Sequence, residues 1–188
     1  HAPGGAFRGL GGSDARRLSA ALCAALGEGT PEVRCRCLDL VPDALASLQA
    51  AAQESLAGAV PQEDLLLLLK RFAQRLAESL GDEREAVREA AKQCLLAHAS
   101  GGRNLPWVLR VVEDFGLARQ GNPRVRMHSL GALASFLSLE AAAQLKGADI
   151  VGLLESLALG LSDSSDNVAQ AARQALAQAE AALGEALL

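Results

Sequence analysis

Apolar residues recur along this chain at intervals of three and four, in blocks divided by short polar turns, which is the spacing of amphipathic helices. Leu18, Leu22, Ala25 and Leu26 share one face of a first helix that follows Ser13 and stops at Gly27 and Gly29. Thr30 and Pro31 supply an N-cap and a first-turn proline for a second helix running toward Ala57, in which Pro42 predicts a kink or break. After Pro61, Leu65, Leu68, Leu69, Phe72, Leu76 and Leu80 line a third helix; Val87, Ala90, Ala91, Cys94 and Leu95 line a fourth, with Asp82 placed to cap it. A fifth opens at Asn104 with Val108, Val111, Val112 and Phe115 inward, and its partner opens at Asn122-Pro123 with Val125, Ala132, Leu133 and Phe136. The last pair carries Ile150, Leu153, Leu154, Leu157 and Leu161, then Val168, Ala172, Ala175, Leu176 and Leu183. A short extra helix is expected over Ser138–Leu145.

Four of the turns share a signature: an acidic or amide residue, four variable positions, then Val. It reads Glu28 to Val33-Arg34, Asp82 to Val87-Arg88, Gln120 to Val125-Arg126 and Asp163 to Val168-Ala169. The valines stand 54, 38 and 43 positions apart, the irregular period near forty of helix-pair repeats. No single pair can bury its apolar face, so the expected architecture is an all-α solenoid of about four to five antiparallel pairs, one domain over 13–188 behind a flexible Gly-rich lead-in at 1–12. Within a turn, a carboxylate can accept from the Arg six places on. Glu28 with Arg34 and Asp82 with Arg88 are therefore expected as steps of a structural ladder; Gln120 with Arg126 is its neutral variant, and Ala169 loses the fourth step.

Composition narrows the picture. Half of the 188 residues are apolar but 3% are aromatic, and there is one Ile, so Leu and Ala supply the core and β-sheet is disfavoured. A formal net charge of −4 argues against nucleic acid, whose binders carry a positive field. The longest Leu run, Leu65–Leu69, is too short to span a membrane. Cys23, Cys35, Cys37 and Cys94 form no CxxC pair and read as small apolar residues. His98 and His128 lie on different helices without neighbours at metal-ligand spacing, so no metal, cofactor or catalytic set is expected.

The acidic-x4-Val-Arg pattern resembles the HEAT repeat, over roughly residues 13 to 185. Leu76 to Ala91 is similar to the second repeat of a TOG domain of the CLASP or crescerin type, and Asn122-Pro-Arg-Val-Arg126 resembles the Asn-x-x-x-Arg loop of those domains. The resemblance implies a non-catalytic, microtubule-associated module that binds tubulin through its intra-pair turns, in the cytoplasm at the cytoskeleton, a cilium or a centrosome. Arg119, Asn122, Arg124 and Arg126 in the basic third turn, Arg84 in the second, and the sole Trp, Trp107, are the partner-binding candidates. The chain departs from that pattern. Its first turn has no Trp, and its second and fourth turns are net acidic. The alternative is therefore a HEAT scaffold with a protein partner other than tubulin.

Overall fold

The computed structural model describes residues 12–55, 62–100, 105–118, 120–137, 145 and 147–184. Among them all regular structure is helical: α1 (Gly12–Glu28), α2 (Pro31–Ser55), α3 (Gln62–Ser79), α4 (Glu85–Ala99), α5 (Leu105–Val111) continued by a π-helical stretch (Val112–Ala118), α6 (Pro123–Leu137), α7 (Gly147–Leu161) and α8 (Asp166–Leu183). This is the all-α class the periodicity implies. The chain divides into two compact units, His1–Leu76 and Ala77–Leu188, with the division inside α3.

In the first unit α1 packs on α2 across a connection of only Gly29 and Thr30. The Gly29 N–H donates to Ala25 O (3.0 Å), closing α1, and Val33 N–H reaches Thr30 Oγ1 (3.4 Å), opening α2. Pro31 stands at the first helical position as expected, whereas Ser13 lies inside α1 rather than ahead of it. Pro42 does not break α2, which runs through it. Leu38, Val41, Ala44 and Leu45 on either side are all buried, and that burial outweighs the one backbone hydrogen bond a proline removes. Phe72, Ala73 and Leu76 of α3 are buried too; the side chains of Leu65, Leu68 and Leu69 lie outside the described residues.

In the second unit α4 packs on α5 and α6, α6 packs on α8, and α7 packs on α8, α5 and the π-helical stretch. Within this unit α6 thus lies between α4 and α8, and α5 adjoins α7. Val87, Ala91, Cys94, Leu95, Val108, Val125, Leu133, Phe136, Leu153, Leu157, Val168 and Ala172 are buried, as their periodicity implies. Glycine sets how closely some of these elements approach. A Cβ on Gly81 would run into Val125, and one on Gly116 would run into the Ser129 side chain.

The π-helical stretch is a departure from the expected uninterrupted α-helix. Its i→i+5 pattern widens the turn, so the inward position after Val112 falls on Gly116 and Leu117, both buried, and Phe115 is left half-buried instead of inward. Leu161, expected in the core, is 38% exposed where α7 ends. Of the extra helix expected over Ser138–Leu145, Leu145 is in no helix and the rest lies outside the described residues.

Candidate functional site

The signature turns have a common construction. In the three turns that carry a signature Arg, it folds back onto backbone carbonyls. Arg34 Nε donates to Gly29 O (2.9 Å), Arg88 Nη1 to Asp82 O (2.8 Å) and Glu83 O (3.0 Å), and Arg126 Nη1 to Gln120 O (2.9 Å). Carbonyls released where a helix ends would otherwise lack partners, and a guanidinium fork on the next helix supplies them. In these turns the signature Arg therefore serves the main chain of the turn. The Asp82 carboxylate also supports the backbone ahead of α4, where Oδ1 accepts from Arg84 N–H (2.9 Å). Gln120 Oε1 does the same for Asn122 N–H (3.0 Å) and Asp163 Oδ1 for Ser165 N–H (2.9 Å), while Asn122 Oδ1 caps the first turn of α6 by accepting from Arg124 N–H (2.9 Å). In three turns the first signature side chain thus accepts from the N–H two places on, ahead of the next helix. The Glu28 side chain lies outside the described residues.

The fourth step, expected to be lost at Ala169, is made differently. Asp163 receives Arg126 from the preceding pair, through Nε to Oδ2 (2.6 Å) and Nη2 to Oδ1 (2.9 Å). This bidentate pair is mostly shielded, at 18% and 11% side-chain exposure. The Arg126 hydrogen bond holds the Asp163 carboxyl below its usual range, and Asp163 in turn favours the charged form of Arg126. Arg126, expected among the partner-binding residues, thus has three of its donors engaged internally.

The other candidates separate by exposure. Arg84, Asn122 and Arg124 are exposed; Arg119 lies outside the described residues. Trp107 is half-buried at the start of α5 and meets the buried His98 of α4 edge-to-face, with ring centroids 5.3 Å apart and planes at 77°. That contact anchors the α5 end to α4. Burial lowers the His98 pKa to about 4, so its imidazole is neutral at pH 7.

Sequence reasoning does not single out the furrow between α4 and α6. It has a volume of about 200 Å³ and is lined by Glu85, Arg88, Glu89, Lys92 and His128, above buried Leu80. The His128 pKa is lowered by burial and by the nearby cations Arg88, Arg124 and Lys92. The signal is present in the spacing: Arg84, Arg88 and Lys92 follow at steps of four, as do Arg124 and His128. Among the described residues no group of three or more His, Cys, Asp or Glu is placed to hold a metal ion, and no helix is long and apolar enough to cross a membrane. Compared with protein-family models and with curated proteins, the sequence matches none.

Proposed function

We propose that this chain is a non-catalytic helical-repeat module of the HEAT kind that engages a protein partner through its turn-bearing edge. Tubulin is the partner suggested by the TOG-like signature. The observation that supports the reading is the repeated turn, in which a clamped Arg and a capped helix start leave Arg84 and Arg124 exposed in two successive turns. A pre-formed turn lowers the backbone ordering cost of binding, and two such cations suit an acidic protein surface. In this reading the helix pairs continue as a solenoid, whose turns line one edge. Size-exclusion chromatography with tubulin at low salt tests it: co-elution is expected, reduced by Arg84→Glu and further by Arg84→Glu with Arg124→Glu. Absence of co-elution removes tubulin.

The second reading, a scaffold for a different protein, is favoured by the Arg126–Asp163 pair. It takes up the third turn's signature Arg and leaves Asp166 exposed beside the fourth turn. A pull-down in which tubulin is the dominant partner would count against it.

A further inference from the structure

We propose that this chain associates head to tail with a second copy of itself, the open face of α2 in one copy receiving the open face of α7 in the other. Among the described residues the exposed large apolar side chains are Val33 and Leu40 of α2 and Val151, Leu159 and Leu161 of α7. They belong to the first and last helix pairs, and the described parts of the helices between expose none. Val33 is 44% exposed and Leu161 38% exposed, so both stay open within one copy.

Their counterparts elsewhere show what such positions meet. Val33 is the signature Val of its turn, and the signature valines Val87, Val125 and Val168 are all buried. Leu161 stands two places before Asp163, as Leu80 stands two places before Asp82, and Leu80 is buried. These two kinds of position share one junction. A Cβ on Gly81 would run into Val125, and Leu80 lines the furrow with His128 and Gly131 of α6. The Leu80-Gly81 turn thus packs against the start of α6. At α2 the Val half of such a junction is open, and at the end of α7 the Leu half is open. One chain carries both halves, so a second copy is the occupant that completes each. Ser162 stands where the earlier turn has Gly81, and the junction tolerates a side chain there: the sequence has Arg119 at that place ahead of α6, and Val168 of α8 is still buried.

Charge favours the same pairing. On α2, Val33, Arg36, Cys37 and Leu40 share one face at steps of three and four, with Glu32 and Asp39 on its flank; on α7, Val151, Leu154, Glu155, Ala158 and Leu159 share another. The first stripe contains one charged residue, exposed Arg36, and the second contains exposed Glu155. Joining the two stripes brings opposite signs together, whereas joining either stripe to its own copy brings like signs together. Ala169 stands where α6 has Arg126, so no guanidinium crosses this junction as Arg126 crosses to Asp163, and the association is weak.

Sedimentation velocity between about 10 µM and about 1 mM chain tests the proposal. The sedimentation coefficient should rise with concentration, with half-association at roughly 100 µM. A monomeric boundary up to the highest concentration overturns the proposal. Val33→Glu and Leu161→Glu each spoil one half and leave the other intact, so each variant alone should lose at least about tenfold in self-affinity. Mixed in equal amounts, the two should form a one-to-one dimer and nothing larger, because the intact α7 face of one meets the intact α2 face of the other. Circular dichroism checks the fold of each variant, with Val33→Gln or Leu161→Gln taking the place of one that is unfolded. Wild-type self-affinity in either folded variant overturns the proposal, and so does a mixture that stays monomeric. Failure of tubulin to co-elute bears on the turn edge alone and leaves these outcomes unaffected.

Discussion

Arg126 and Asp163 stand 37 positions apart in sequence and are joined by two guanidinium–carboxylate hydrogen bonds, while the same guanidinium closes its own turn on Gln120 O. One side chain thereby completes one turn and fastens it to the next. A double-mutant cycle with Arg126→Gln and Asp163→Asn should give a coupling of about 1–2 kcal/mol by denaturant unfolding, since the pair is bidentate and mostly shielded. The Asp163 carboxyl is held below its unfolded value, so its contribution is present above that value and is lost as pH falls through the folded one. Coupling that is absent at pH 7, or equally strong at pH 2, would contradict this assignment.

His98 gives a separate pH dependence. Its folded pKa, about 4, lies below its ordinary value of 6.5, so between these limits the unfolded chain binds the proton and the folded one does not. Stability should fall as pH drops from 6.5 toward 4, by on the order of 2–3 kcal/mol in total. Above pH 7 His98 should add no pH dependence. His98→Leu should flatten the curve across that window, and a variant with the wild-type slope would assign the effect to another group.

The contact between Gly116 and Ser129 predicts two effects of opposite sign. Gly116→Ala pushes a methyl group into Ser129 and should cost about 1–3 kcal/mol by overpacking. Ser129→Ala removes a buried hydroxyl that has no hydrogen-bond partner and should stabilise by up to about 1 kcal/mol. Thermal melting of the two variants checks both; a stabilised Gly116→Ala would mean that the π-helical stretch shifts away.

Pro42 lies inside α2, where it leaves Leu38 O without the usual donor. Pro42→Ala restores that N–H, at the expense of a stiffer unfolded chain. A net gain of about 1–2 kcal/mol is expected in chemical denaturation. A loss would show that the half-buried ring contributes more by packing than the missing bond costs.

The helices and most of their inward faces are legible in the sequence because apolar period and cap chemistry agree: Thr30-Pro31, Asn122-Pro123 and the Val87 and Val125 stripes all point one way. Phe115 is not legible, since a switch from an α to a π repeat shifts every later position on a face and leaves no compositional mark. The Arg in each signature stands out, but its acceptor does not. Carbonyl oxygens occur at every position, so sequence cannot show which of them Arg88 and Arg126 close upon. Asp163 reads as belonging to its own turn because its partner comes from a different pair, a relation that only packing establishes. Lys92 and His128 escape notice for the same reason: their rows are visible on separate helices, but the furrow exists only once α4 lies beside α6.

The edge-to-face meeting of Trp107 with His98 has a practical consequence. The chain has one Trp and no Tyr, so its ultraviolet emission arises almost wholly from one indole. That indole rests against a ring kept uncharged by its surroundings. Separation of the α4–α5 seam would move the indole into water and away from the imidazole, and the colour and intensity of the emitted light would follow. The protein thus carries an intrinsic optical gauge of that seam, one that needs no added dye.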